Sequence, residues 1–474
     1  MKDDIHPYLE WEVLHDPITI LEVDGTKELV PEGRQEKIVI NRDAHYQLRA
    51  VLFAKGDYMP KITKGVKIVV SDNFAEPFEI TGSDLYGRHY TLESCHRIGG
   101  SQSHWKSGEE LLYEANLSTQ GLRIRPKTET DGMWLTEWYI NGPRTSSVFR
   151  NSTMRKISRT FFRERLAPDN ENIHSIEVTR GNSQFSSRDY LKIEACDIRF
   201  LVTQVPKGIG PDWSSNIGIE YRKDWGWIPD VDEREAISEL CSFIFGRQLL
   251  SVGYTTYDKD GNMVEGYACN PCGNTRSLCS KPDNPPIKIE PHSSRGGADD
   301  LISRLLPPYH ELRDQYHLKD ALWLYWIARD MSDGTNLPLL AAAVETMMNG
   351  WFKSKGSKSR GTYMNKNKFD ELLYDELSSI EVKLENKEFG DELMKKLRNA
   401  YQMGVMDRFR FFFDEISLVI NESEWAAIDA RNSVAHGRIT RSEDEQGQMI
   451  QHTSTYEKLI HKIMLRLIGY SAVT

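Results

Sequence analysis

The sequence predicts an α+β multidomain protein in which a β-rich N-terminal region of sandwich or barrel type precedes an all-α helical bundle. Three observations predict it. Up to about residue 204 the apolar residues come in short alternating runs rich in β-branched and aromatic side chains, the period of half-buried strands. Beyond residue 300 they recur every three or four positions along Ala-, Leu- and Met-rich stretches, the period of amphipathic helices. Between the two, residues 268–300 are rich in Pro, Gly and Ser and mark a boundary. The predicted organisation is a β-rich region over 1–267, open to two subdomains, a Cys- and Pro-rich connector over 268–300, and a helical domain over 301–474.

Strands are predicted over 19–23, 37–42, 46–53, 65–70, 78–83, 121–126, 133–142, 174–180 and 190–202. Residues 205–230 alternate Gly, Pro and Trp without a period and are read as an ordered loop. Ala236, Leu240, Phe243 and Ile244 share helical spacing, so 232–247 is a predicted helix. An Asp-Gly-Asn turn at 260–262 folds 249–267 into a hairpin. Helices follow over 321–331, 337–352, 369–384, 392–413, 421–437 and 453–470. For the fifth of these, Asn421 or Ser423 is the expected cap, Glu424 stands in the capping-box position three residues after Asn421, and Gly437 is the expected stop.

Composition narrows the function classes. At 474 residues, with 39% hydrophobic and 10% aromatic content, the chain can bury the cores of two or three domains and belongs to the globular class. No apolar run reaches membrane-spanning length and the first residues do not resemble a signal peptide, so a cytoplasmic protein without a membrane partner is expected. Six cysteines in such a chain argue against a disulfide scaffold. Residues 301–474 hold 23 Lys and Arg against 25 Asp and Glu, so most of the net charge of −10 falls before residue 300. A general basic surface is thereby excluded, and any nucleic acid has to be held by a local patch. The segment 99–110 lacks a Gly-Lys-Ser/Thr ending, so no nucleotide-hydrolysis loop is expected there.

Cys269, Cys272, Cys279 and His292 form a C-x2-C-x6-C-x12-H pattern that suits a structural Zn2+ held by three thiolates and an imidazole. His96 is an alternative fourth ligand, and reduced thiols in a loop are the plainer reading. Trp213, Tyr221, Trp225 and Trp227 either stack on unpaired bases or form a hydrophobic cluster under a loop.

Late in the helical region, Arg431, Asn432 and His436 interrupt an otherwise apolar helix, and Asn432 and His436 are i,i+4 neighbours on one face. An imidazole near neutral pH can move protons, and a guanidinium offers a forked donor set to phosphate oxygens. Together these groups suit cleavage of RNA by its own 2′-hydroxyl. The plainer alternative makes His436 a C-terminal cap and pairs Arg431 with Asp429 or with an acid on a neighbouring helix. Glu345, inside the apolar helix 337–352, either orients Arg431 across the bundle or faces solvent. Lys353, Lys355, Lys358 and Arg360 form a basic loop that either draws in RNA or is simply solvated.

Arg431-Asn432-(three residues)-His436, set late in a predicted bundle behind a β-rich region, resembles the signature of HEPN ribonucleases and the layout of the ApeA class of bacterial anti-phage proteins. The resemblance implies a HEPN-like helical bundle acting as a metal-independent endoribonuclease. It further implies a homodimer or higher homo-oligomer with a shared cleft, products ending in a 2′,3′-cyclic phosphate and a 5′-hydroxyl, and a role in abortive infection. The RNA, tRNA or another host or phage species, and a phage-derived protein trigger are the partners it implies. The alternative is a HEPN-like module that binds protein or RNA without catalysis.

Overall fold

The computed structural model describes residues 7–24, 33–56, 77–104, 111–127, 130–166, 172–289, 296–332, 335–355, 361–435 and 442–470. Two compact units partition the chain: Met1–Asp230 with Ile244–Arg304, and Val231–Phe243 with Leu305–Thr474. A β-rich part precedes a helix-rich part, as the two periods required.

The first unit carries β1 (Ile18–Ile20), β2 (Glu22–Asp24), β3 (Gly33–Arg42), β4 (Leu48–Gly56) and β5 (Phe78–Ser83). There follow β6 (His89–His104), β7 (Leu111–Ser118), β8 (Gly121–Arg125), β9 (Trp134–Ile140) and β10 (Asn151–Leu166). The last five are β11 (Asn172–Ala195), β12 (Ile198–Gln204), β13 (Ile217–Arg222), β14 (Leu250–Tyr257) and β15 (Met263–Cys269). Hydrogen bonding orders them β1-β3-β4-β7-β6-β8-β15-β14-β9-β13-β12-β11-β10, with β5 and β2 branching from β6. The sheet is not closed into a barrel, which corrects that half of the expectation: the path ends at β1 and β10. Its turning point is β6, which pairs β8 through Glu93 and β7 from His96 onward, with Ser94 in the left-handed region (φ 51°) where the partner changes. Alternate residues of strands on both sides of that change, among them Ile38, Ile40, Leu52, Leu92, Leu117 and Leu122, are buried in one apolar cluster.

A buried ion pair ties this unit together. The side chains of Arg42 and Glu12 are 5% and 0% exposed, and their closest atoms lie 2.5 Å apart. Arg42 also donates to the carbonyls of Tyr46, Cys269 and Val252, so both charges are paired and the guanidinium is satisfied on several sides.

Helices are α1 (Pro7–Glu10), α2 (Val231–Phe245), α3 (Thr275–Ser280), α4 (Ala298–Leu312), α5 (Leu318–Asp330) and α6 (Leu337–Ser354). They continue with α7 (Lys366–Leu372), α8 (Tyr374–Leu384), α9 (Gly390–Arg398), α10 (Val405–Glu415), α11 (Glu422–Ala435) and α12 (Glu443–Leu467). In the second unit α6 is central, packing on α5, α10, α11 and α12. The first thirteen residues of α2 belong to this unit. Arg313 holds them there, its side chain only 3% exposed, by donating two bonds to Glu239 at 2.7 and 2.9 Å and one to Asp232 at 2.7 Å. His461 of α12 is buried beside Phe243, with its Nε2 2.8 Å from the Tyr325 hydroxyl. Burial, with the charge of Arg329 adding to it, pushes its pKa down to about 3.

Several elements differ from their predicted form. The helix expected over 392–413 is interrupted because 401–403 turns back to bond 361–363, and the one over 369–384 breaks at Leu373. Within 205–230, residues of β13 form a strand rather than loop. The strand expected over 65–70 lies outside the described residues.

Candidate functional site

Four helices converge where the sequence placed its arginine. The α6 segment is built from strong helix formers and buries Leu340, Ala343, Val344 and Met347, which leaves Glu345 on the flank of the apolar face. Asn421 and Glu424 form the expected capping box at the start of α11, each side chain accepting from the other's backbone N–H at 2.9 Å. Glu424 also pairs with Lys462 of α12 at 2.5 Å, so the beginning of α11 is fixed to its neighbour. From that anchor the helix buries Ala427 and Ile428 and carries Arg431 toward α6.

There the Arg431 guanidinium meets the Glu345 carboxylate. Their side chains are 14% and 37% exposed, so the pair sits at the edge of the core with one side toward solvent. The ring of Phe409, from α10, lies 5.5 Å beneath the guanidinium and supplies a face favourable to a cation. Tyr456 of α12 is fully buried nearby; burial pushes its phenol pKa up, and the charge of Arg431 opposes the rise. Its hydroxyl has no hydrogen-bond partner among the described residues. Tyr456 and Phe409 were not singled out by the sequence, because buried aromatics at helical spacing carry no signal beyond core packing.

His436 lies outside the described residues, and so does the side chain of Asn432, whose backbone is part of α11. Lys353 and Lys355 are exposed at the end of α6, with the Lys355 ammonium 5.5 Å from the Trp351 ring. Lys358 and Arg360 lie outside the described residues. Chemically, a carboxylate occupies at most two of the five N–H donors of a guanidinium, so an arginine oriented by an acid can engage a phosphate oxygen at the same time. A separate cavity of about 780 Å³ lies between α8 and α9, lined by Glu381, Val382, Met394 and Arg398.

The zinc expectation is overturned. Among the described residues no group of three or more His, Cys, Asp or Glu is placed to hold a metal ion. Cys269 ends β15 with its sulfur 3.8 Å from the Ser251 carbonyl, Cys272 is exposed, and Cys279 is buried in α3 with its thiol 3.6 Å from the Ser214 hydroxyl. Burial pushes the Cys269 thiol up to about 11 and raises Cys279 as well, so both are neutral thiols in this structure. His292 lies outside the described residues, and His96 is a ladder residue of β6 opposite Ser118. Of the aromatic group, Tyr221 is buried against Phe200 and Trp213 packs edge-on to Tyr46, while Trp227 is 44% exposed.

Among the described residues no helix is long and apolar enough to cross a membrane. No protein-family model matches the chain, and neither the curated proteins nor the solved structures contain a significant match.

Proposed function

We propose that the helical unit is a HEPN-type endoribonuclease that cuts RNA by attack of a ribose 2′-hydroxyl on the adjacent phosphorus. The observation that carries this reading is the pairing of Glu345 with Arg431 across α6 and α11, which gives a guanidinium a fixed direction at the edge of the core. In this reading Arg431 binds the scissile phosphate and stabilises the charge that grows on it, and Asn432 aligns phosphate and imidazole. Neutral His436 of one copy accepts the 2′-hydroxyl proton; protonated His436 of a second copy gives its proton to the departing 5′-oxygen. The products are a 2′,3′-cyclic phosphate and a 5′-hydroxyl, with no electron transfer and no divalent ion in the step. Lys353, Lys355, Lys358 and Arg360 draw the RNA in through its phosphates. The setting is a cytoplasmic homodimer or larger homo-oligomer acting in anti-phage abortive infection, released by a phage-derived trigger.

Total RNA incubated with the purified protein in EDTA tests the reading. Discrete fragments are expected from the wild type and none from His436→Ala at unchanged circular dichroism, while Glu345→Gln slows cleavage roughly 10- to 100-fold by letting the arginine swing. Cleavage by His436→Ala at the wild-type rate overturns it. Intact RNA that stays bound to the wild type favours the second reading, a HEPN-like binding module without catalysis, for which the prior neutralisation of Arg431 by Glu345 speaks.

A further inference from the structure

A line of rings joins α10 to α11. The Arg431 guanidinium stands 5.5 Å over Phe409, Phe409 stacks on Phe413 one turn later at 5.7 Å, and Phe413 meets Trp425 edge-on at 5.8 Å. Phe409 and Phe413 are core residues, whereas Trp425 is only half-buried. Beyond it opens a shallow groove of about 690 Å³ whose walls include Arg410, Phe413, Asp414, Leu418, Val419 and Trp425. The turn that forms one wall is fixed in place. It passes through Ser417 in the left-handed region (φ 53°), the Leu418 N–H donates to the Phe413 carbonyl at 2.8 Å, and the Ile416 carbonyl accepts from the Arg466 side chain at 2.6 Å. It carries Val419 outward, 89% exposed, between a half-buried Leu418 and a half-buried Ile420. With Trp425 these make a contiguous apolar patch rather than one stray side chain.

The chemistry of the groove selects what can enter it. The Arg410 guanidinium lies 5.8 Å over the Trp425 ring, at the outer reach of a cation–π contact, and its side chain is 63% exposed. An indole face beside a guanidinium and aliphatic walls is a platform for a nucleobase, because every base has a π-face and arginine adds to the stacking. Sliding a base between ring and guanidinium takes about 7 Å, two stacking distances of about 3.4 Å. The exposed Arg410 therefore has to give by only about 1 Å. A phosphate fits the groove poorly: Asp407 already pairs with Arg410 at 3.3 Å, and Asp414 adds a second acid to the walls. The neutral base enters and its backbone stays outside. Position agrees with this, since Trp425 and Arg431 are six residues apart on α11. That is about 9 Å along the helix axis, the length of two or three stacked nucleotides at about 3.4 Å each.

We propose that this groove is a subsite for one unpaired base of the RNA, stacked on Trp425 under the Arg410 guanidinium, two or three nucleotides from the phosphate that Arg431 engages. The inference rests on the ribonuclease reading and adds to it a substrate class: RNA that is single-stranded beside the cut, because a base inside a duplex has both faces covered by its neighbours.

Two measurements on the full-length protein test it. Fluorescence anisotropy with a labelled single-stranded RNA of about ten nucleotides, in the His436→Ala background so that nothing is cut, reads affinity alone. There Trp425→Ala is expected to weaken binding about tenfold, while Trp425→Phe, which keeps a ring, stays within about threefold. Should Trp425→Ala misfold by circular dichroism, Val419→Glu changes only a projecting side chain and is expected to weaken binding at least about fivefold by charging the wall against which the base lies. The second measurement is cleavage of RNAs with a single abasic position. Removing the base two or three nucleotides from the cut is expected to lower kcat/KM about tenfold in the wild type and no further in Trp425→Ala. Weakened binding by the variants of a protein that cuts nothing keeps the subsite and removes catalysis. Variants that bind and cut as the wild type does remove the subsite and keep catalysis. The proposal falls equally if the protein binds no RNA, or if duplex RNA of the same sequence is bound as tightly as the single strand. Variants that dissociate the homo-oligomer in analytical ultracentrifugation while RNA affinity stays intact also overturn it, since they mark the groove as a protein interface.

Discussion

His461 gives the helical unit a calculable sensitivity to acid. Buried beside Phe243 and bonded to the Tyr325 hydroxyl, it is held neutral, with a pKa pushed down to about 3 by burial and then by Arg329. In the unfolded chain an imidazole titrates near 6.5. Because the folded value lies below the unfolded one, the unfolded state binds the proton first as pH falls, so stability is intact above about 6.5 and declines toward 3. Each pH unit in that window costs about 1.4 kcal/mol, which makes the loss roughly 2 kcal/mol at about pH 5. His461→Gln keeps an acceptor for Tyr325 while removing the titrating group. Urea unfolding followed by far-ultraviolet circular dichroism between about pH 7 and 5 should then show a flatter decline in the variant, by about 2 kcal/mol. Parallel declines in the two proteins, or a wild type that gains stability on acidification, refute the reasoning.

Two further outcomes follow from the β-rich unit. Arg42→Met strands Glu12 in the interior and should cost about 3–5 kcal/mol in chemical denaturation, whereas Arg42→Met combined with Glu12→Leu should recover most of that, as buried pairs replaced whole usually do. Removing metal should do nothing: the melting temperature of the protein in EDTA is expected to equal that in added Zn2+, and a rise of several degrees with zinc counts against the assignment of Cys269 and Cys279 as neutral thiols.

What was legible in the sequence is what depends on period and on local chemistry. The change from alternation to helical spacing located the β-rich and helix-rich parts, and the Asn421–Glu424 cap was readable because both of its bonds lie within one turn. The strand over 151–166 was not, and within 172–195 only 174–180 and the residues from 190 onward were read as strand, since a stretch rich in Arg, Ser and Thr lacks the apolar alternation that marks a half-buried strand. Helix breaks at Leu373 and around 399–404 escaped for a different reason: the break near 402 depends on pairing with 361–363, which no local propensity encodes. At the candidate site, Glu345 stood out as a charge within an apolar face, and its meeting with Arg431 needed the packing of α6 on α11 to be seen. The cysteine spacing misled because spacing alone does not say that Cys269 ends a strand against Ser251 while Cys279 is buried in a short helix against Ser214.

The Arg313 cluster decides how this protein can be taken apart. Val231–Phe243 belongs to the helical unit although Ile244–Arg304, which follows it in the chain, belongs to the other. A fragment starting at residue 301 would keep Arg313, Tyr309 and His461 but lose Asp232, Glu239 and Phe243, leaving a guanidinium that is 3% exposed without its carboxylates. Silence from such a fragment in an enzymatic assay reports a missing helix, and a faithful excision has to splice two distant stretches of polypeptide.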